Sequence, residues 1–359
     1  MRNWKKVTAA VLAGLMVMGM TACGSEGEKE SSTQEAQKTE STDTTEAKTT
    51  DSSEYKTLRI GCGDALNHNL IDLAGVAQSK GYLEEELNEV GWTYEATGFA
   101  GQGPEINAAL MSNSLDAAAY GDFPTLTGTG SGADFSAVAV LDPSLTYGIF
   151  VADDAIQEPK DLEGKKIVVQ RGTALYYFWE QFVKGTGIDA DSIEVINSNA
   201  SDAVSLLQTG EADAFVSAGY SLGYYEKQGL GHRLEGYDIQ TGSTSTYFVI
   251  NDSVLKESPE VAVALNKALI RAYNDITADP DSFYELLGER YGAEAVKEAY
   301  GFDETLSYLT PEFTDDVKKT LNGLYDWMNK NQLLASEFDP ESVLATEYYD
   351  QAVKELEEK

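Results

Sequence analysis

Two histidines, His68 and His232, and two cysteines, Cys23 and Cys62, are all that a chain of 359 residues carries of those types. No cluster of His, Cys and acidic residues has metal-ligand spacing, which excludes a zinc or non-haem iron site. Positive charge is also scarce: 26 Lys and Arg stand against 60 Asp and Glu, for a formal net charge of −34. Nucleic-acid binding depends on clustered Lys and Arg, and anionic lipid needs a basic face, so neither partner is expected. Such a charge keeps a surface soluble and says little about fold. It does not steer anions inward, so anion binding would rest on local donors, and a neutral or zwitterionic ligand is equally admissible. There is no P-loop, no HExxH, and no Cys–His or Ser–His pairing with a supporting spacing. None of these motifs supplies a catalytic reading, and no cofactor is expected.

No hydrophobic run is long enough for a transmembrane helix. Met1–Lys6, MRNWKK, has three positive charges, and Val7–Met20 is apolar or small, about the length of a signal-peptide core. Met20-Thr21-Ala22-Cys23 follows and resembles the lipobox of bacterial lipoproteins, with Met20 where Leu is usual. That resemblance implies cleavage before Cys23 and a lipid, palmitate included, on its thiol. Residues 1–22 are thus expected to be a lipoprotein signal peptide. Residues 23–56, rich in Ser, Thr, Glu, Lys and Gln with no aromatic before Tyr55, are expected to be a disordered tether. With Cys23 so engaged, Cys62 is read as a small buried residue rather than a nucleophile.

What is plentiful is alternation of strand and helix. From Thr57 on, TLRIGCG reads as a strand, and NLIDLAGVAQSKGYLEEEL as one helix with Leu70, Leu73 and Ala77 at apolar spacing. TYEATGF follows as a strand, then GPEINAALMSNS as a helix opened by Pro104, then LDAAAYG and FSAVAVL as strands. The rhythm predicts a mostly parallel sheet with helices on both faces. The pattern restarts with the strand in DLEGKKIVVQRGT and the helix ALYYFWEQFVKGTG. SIEVINS is the next strand, SDAVSLLQTGE a helix with Ser201 as N-cap, and ADAFVSAG a strand. NAALMSNSLDAAAYGD and VSLLQTGEADAFVSAG share a layout, which points to two halves of similar construction. After STYFVIND the chain turns helical. Helices are expected to start at Ser258-Pro259-Glu260, at Asp279-Pro280-Asp281 and near Pro311, since cap, Pro and acid in that order favour a first turn.

In the order and spacing of these pieces, over roughly residues 57–345, the chain resembles the substrate-binding proteins of bacterial ABC importers. Within them it is most similar to the sulfonate, taurine and nitrate group, which includes thiamine-precursor binders. The pieces are LRIG…GYLEEE, GPEINAALMSNSLDAAAYGDFP, EPKDLEGKKIVVQRGT, AVSLLQTGEADAFVS and YFVINDSVLKESPEVAVALNKAL. The resemblance implies an α/β, type II periplasmic-binding-protein fold: two doubly wound lobes joined by two hinge crossings, with ligand in the cleft between them. On that plan residues 57–145 begin lobe I, 146–240 form lobe II, and 241–359 return to lobe I and end in helices. The crossings are expected near Asp142–Gly148 and Tyr237–Ser243. The implied function is capture of a small polar solute, favouring a sulfonate or taurine-like anion, for delivery to the permease subunits of an ABC importer. The implied location is the outer face of the cell membrane, the protein being a lipid-anchored monomer. A thiamine-precursor pyrimidine is the alternative ligand. An enzyme on this fold, with Asp122 and His68 as an acid–base pair, is the alternative activity.

Candidate ligand-binding residues lie where strands end, because open α/β sheets bind beyond their carboxyl ends. Asn67 and His68 follow the first strand and match an Asn-His pair common in thiamine-precursor binders, or cap a helix in solvent. Gly101 and Gln102 precede the Pro104 helix, where free N–H groups could hold an anionic oxygen, or form a plain turn. Gly121, Asp122 and Phe123 match the family's GD-x-P at the cleft floor, though Asp122 could equally cap the next helix. Arg171, Gly172 and Thr173 combine a guanidinium, a hydroxyl and a helix start, which suits a sulfonate, carboxylate or phosphate; alternatively Arg171 pairs with a surface acid. Tyr176 is in the first turn of that helix. Tyr220 stands in Ala218-Gly219-Tyr220 where sulfonate binders often have Trp, and could supply a ring face.

Overall fold

The computed structural model describes residues 55–63, 69–99 and 102–358. The leader, Cys23, the acidic segment after it, Asn67, His68 and Gly101 lie outside the described residues, as does the side chain of Gln102.

The first stretch runs β1 (Lys56–Cys62), α1 (Asp72–Ser79), α2 (Tyr82–Glu89), β2 (Trp92–Gly98), α3 (Gln102–Met111), β3 (Ala117–Gly121), α4 (Asp122–Gly130) and β4 (Phe135–Leu145). The second runs β5 (Tyr147–Val151), β6 (Lys166–Val168), α5 (Ala174–Thr186), β7 (Glu194–Ile196), α6 (Ala200–Thr209), β8 (Ala214–Ala218), α7 (Gly219–Lys227) and β9 (His232–Arg233). The third runs β10 (Thr244–Asn251), α8 (Asp252–Glu257), α9 (Glu260–Ala278), α10 (Pro280–Tyr291), α11 (Ala293–Tyr300), α12 (Asp315–Lys330) and α13 (Glu347–Glu357). These strands form two five-stranded sheets, ordered β2-β1-β3-β10-β4 and β7-β6-β8-β5-β9. In each, three strands are parallel and a strand from elsewhere in the chain inserts antiparallel: β10 between β3 and β4, β5 between β8 and β9.

Period-two burial builds the layers. Leu58, Ile60 and Cys62 of β1 share one face with Leu73, Leu83, Leu265 and Leu269 of the helices outside it. Ala118, Tyr120, Tyr247 and Val249 face the other way, onto Ile106, Leu126, Leu321 and Met328. In the second sheet Ile149 and Val216 meet Phe178 and Phe182 of α5 on one side, while Phe150 and Phe215 meet Leu207 and Leu222 on the other.

The repeated Asp-Ala step has the same function in both sheets. Asp116 donates its N–H to Arg59 O and accepts the Arg59 N–H on Oδ2. Asp213 makes the same pair of bonds with Lys166. Each carboxylate thus holds the start of the parallel strand beside its own.

Three local expectations change. The helix read over 69–87 is two helices, α1 and α2, because Gly81 takes a left-handed φ of 77° between them. The cap of α6 is Asn199, whose side chain accepts the Asp202 N–H at 2.9 Å, rather than Ser201. The strand β5, YGIFV, escapes the pattern because all five residues are buried and no alternation reveals it.

Candidate functional site

One residue, Thr146, separates β4 of the first sheet from β5 of the second. β4 ends beside the start of β10, with Leu145 opposite Thr244, while β5 begins opposite the end of β8, with Tyr147 opposite Ala218. The carboxyl ends of β3 and β8 therefore flank the same crossing. Gly219 donates its N–H to Thr146 O, and Tyr147 Oη lies 2.6 Å from Thr244 Oγ1. The chain returns to the first sheet between β9 and β10, and Ser144 Oγ bonds to Gln240 Oε1 across the two passages. A groove of about 850 Å³ opens beside them, lined by Ser144, Tyr177, Gln240, Ser243, Tyr308 and Thr320 among others.

On the first sheet, Gly121 ends β3 and Asp122 opens α4. Asp122 is fully buried and accepts N–H groups from Phe123 at 2.7 Å and from Ser245 at 2.8 Å. Burial outweighs those bonds and pushes its carboxyl up to about 7. Phe123 is packed in the apolar layer with Tyr120 and Leu126.

Two further acids, which sequence reasoning passed over, are buried at the same edge. Asp72 starts α1 with a φ of 55° and accepts from Thr246 Oγ1 at 2.9 Å and Tyr300 Oη at 2.8 Å. Asp142 lies in the last part of β4 and accepts the Ser144 N–H at 2.8 Å. Burial raises both carboxyls, and the charge of Asp72 raises Asp142 further. An Asp-Pro step, Asp142-Pro143, inside a hydrophobic strand was the available signal.

On the second sheet, Arg171 and Gly172 are exposed, and Gly172 takes a left-handed φ of 72° just ahead of α5. Arg171 donates through Nη1 to Tyr176 Oη at 3.2 Å, with its guanidinium 4.9 Å from the centre of that ring. Thr173 gives α5 no side-chain cap, since its hydroxyl turns back to Gln170 O. The first N–H groups of α5 thus remain available to an acceptor. Tyr220, in the first turn of α7, stacks with Tyr300 at 6.3 Å and meets Tyr291 edge-on at 4.8 Å. The structure brings Gly121 and Asp122 together against Ser245, and Arg171 together with Tyr176. It shows no bond joining those two groups.

Helix α7 opens with Gly219-Tyr220-Ser221-Leu222-Gly223, a GxSxG pattern after a strand that sequence reasoning overlooked. Its serine is not set up as a nucleophile. Ser221 Oγ donates to Ala218 O at 2.7 Å and touches Ser217 Oγ at 2.9 Å, while the described histidine, His232, is bonded to Ile156 O instead. Among the described residues no group of three His, Cys, Asp or Glu could hold a metal ion, and no helix is long and apolar enough to cross a membrane.

A sequence profile, described as NMT1/THI5 like, matches residues 73–283, more than half of the chain. A protein of Bacillus subtilis (strain 168) named as an aliphatic sulfonates-binding protein is 24% identical over 314 residues, 85% of this chain and 90% of that one. The periplasmic sulfonate-binding protein SsuA of Methylobacillus flagellatus KT superposes with a TM-score of 0.68 at 19% identity, over 85% of this chain and 96% of that one. The desulfurization enzyme DSZB superposes with a TM-score of 0.63 at 16% identity, over 84% of this chain and 99% of that one.

Proposed function

Because the chain belongs to the NMT1/THI5-like family, we propose that it is the extracytoplasmic solute-binding component of an ABC importer. It captures a small organosulfonate between its two sheets and hands it to the permease. The observation that carries this reading is the single-residue crossing at Thr146, flanked by the carboxyl ends of β3 and β8 and opening beside a groove of about 850 Å³. Closure of such halves on a solute is a hinge motion about few residues. A sulfonate is the ligand named for the Bacillus subtilis relative and for the Methylobacillus flagellatus structure. On this chain Arg171, Gly172, Thr173 and the free start of α5 are the donors suited to its oxygens, with Tyr176 and Tyr220 as ring faces. Gly121, Asp122 and Phe123 form the opposite wall, and Asn67, His68, Gly101 and Gln102 stay in the proposed ligand set on their sequence positions alone.

The same reading assigns residues 57–145 and 241–359 to one lobe and 146–240 to the other. It assigns 1–22 to a cleaved signal and Cys23 to a lipid that holds a monomer at the membrane, leashed by 24–56. The protein performs no chemistry, and the bonding of Ser221 supports that.

Native mass spectrometry of the protein purified from cells, followed by calorimetry with the solute identified and with alkanesulfonates, tests the proposal. A stoichiometric solute returned chemically unchanged supports it. A solute converted to product, or no binding of any small polar solute, rejects it.

A further inference from the structure

We propose that the first-sheet wall of the cleft is a cation subsite, in which Asp142, with Asp72 and Asp122 beside it, receives a positively charged nitrogen of the solute. This inference rests on the solute-binding reading and names the chemistry of its ligand.

The three acids reach one place from three parts of the chain. Asp72 follows the tip of β1, Asp122 follows the tip of β3, and Asp142 lies near the end of β4. Strand β10 ties them together. Its Thr246 is opposite both Gly121 and Asp142 in the sheet and donates its hydroxyl to Asp72, while the N–H of its Ser245 goes to Asp122. Asp72 is 1% exposed and the other two 0%. Their partners are hydroxyl and N–H groups, and among the described residues none of the three pairs with Lys, Arg or His.

Asp142 supplies the second observation. One of its oxygens takes the Ser144 N–H, and the other, Oδ2, is buried with no hydrogen-bond partner. A buried acceptor left unmet is destabilising, and buried carboxylates without a counter-charge raise each other's proton affinity. Such a group calls for a partner, and a ligand bound at the cleft is one that can meet it. A protonated amine or amidine brings both the N–H that Oδ2 lacks and the charge that the three acids lack. A sulfonate or carboxylate placed there would bring no N–H and no positive charge to draw a proton off these acids.

The walls agree with this assignment. Tyr300 of α11 donates to Asp72, and Tyr220 of α7 stacks over Tyr300, so the second half covers the subsite when the halves meet. Arg171 lies on the second half and is left for an acidic end of the solute. The whole cleft thus suits a zwitterion whose ammonium faces the first sheet and whose anion faces α5. The bulk charge of −34 raises the local concentration of cations rather than of anions.

Calorimetry of the full soluble chain with matched pairs tests the assignment: taurine against ethanesulfonate, and aminomethylpyrimidines against their hydroxymethyl counterparts. The amine member of at least one pair should bind about tenfold to a hundredfold more tightly, the range for a hydrogen bond to a charged group. Asp142→Asn should erase that preference while its ligand-free melting temperature stays at or above that of the unaltered chain. Asn keeps an acceptor for Ser144 and, unlike the carboxyl, never has to carry a buried charge. The ligand comparison on the unaltered chain stands whatever the substitution does to folding. Amine-free members binding as tightly as their partners would overturn the cation subsite and leave the solute-binding reading intact. Binding by no member of any pair would overturn the cation subsite, and the absence of any co-purifying or titrated solute would overturn the solute-binding reading as well.

Discussion

Trp327 on α12 donates its indole N–H to Glu180 Oε2 on α5 at 2.7 Å, and Tyr177 of α5 meets the same indole edge-on at 5.2 Å. Helix α12 is seated on the first sheet, its Val317, Leu321 and Met328 packed with Val140 and Val249. Helix α5 is seated on the second, through Phe178 and Phe182. The bond therefore ties one half of the molecule to the other, at a point that a hinge opening must separate. Trp327→Phe keeps an aromatic ring and deletes the N–H. It should remove about 1–3 kcal/mol from the closed arrangement alone. Solute affinity measured by calorimetry should fall accordingly, and small-angle scattering should show a larger radius of gyration for the solute-bound protein. Unchanged affinity with unchanged scattering would remove the contact from any role in closure.

The buried Asp122 makes stability depend on pH with a definite sign. Its carboxyl in the folded chain is pushed up to about 7 from an ordinary 3.8, so the native state holds the proton more tightly than the unfolded chain does. The stabilisation is fully present below the unfolded value and is lost as pH rises through the folded one. Burial raises Asp72 and Asp142 in the same direction. Calorimetric melting temperatures should thus rise as pH is lowered from about 8 to about 5. Neutralising a body of −34 charge acts in the same sense, so the contribution of Asp122 is read by comparison. Asp122→Asn should lower stability by about 1 kcal/mol, because the amide cannot accept both N–H groups, and should flatten the slope. An equal slope in the two proteins would place the titration elsewhere.

The α/β class and the doubled layout were legible because period-two strands, amphipathic helices and the two Asp-Ala steps are local signals. The insertion of β10 and β5 was harder to read. A strand buried on both faces has no alternation, and its place in a sheet is set by partners far along the chain, Ala214 for Val151 and Leu145 for Thr244. The site divides in the same way. Asp122 and Arg171 stand beside Gly at strand tips and could be singled out from a few neighbours. Asp72 could not, and Asp142 only through its Asp-Pro step. Each looks like a surface acid in a chain with 60 of them, and only the meeting of β4, β10 and α1 buries them. Trp327 and Glu180 are 147 positions apart, so no local pattern could join them.

The membrane anchor is tested apart from the cleft. If Met20-Thr21-Ala22-Cys23 directs cleavage and lipid attachment, the thiol is the one group the modification cannot do without. Cys23→Ala expressed in its own type of host should leave the membrane pellet for the medium or the periplasm, and the intact mass should lose the lipid increment. Solute binding by the released protein should be unchanged, since the cleft lies wholly in the body. A variant that stays in the pellet with an unaltered mass would show that the chain is held by other means.

Arg171 tests the anion end of the cleft. Its guanidinium rests on Tyr176 and is exposed, with Nη1 engaged by that phenol. An exposed arginine contributes little to folding, so Arg171→Ala should change stability by no more than about 0.5 kcal/mol. For a solute with a sulfonate, the loss of a charged hydrogen bond should weaken binding by about 1.5–3 kcal/mol. Arg171→Lys restores the charge without the planar fork or the stacking on Tyr176, and should recover only part of it. The three proteins titrated with one sulfonate therefore separate geometry from charge: a graded order of Arg, Lys, Ala assigns the anion to this tip. Equal affinities would move the anion to the N–H groups at the start of α5 or out of the second half altogether.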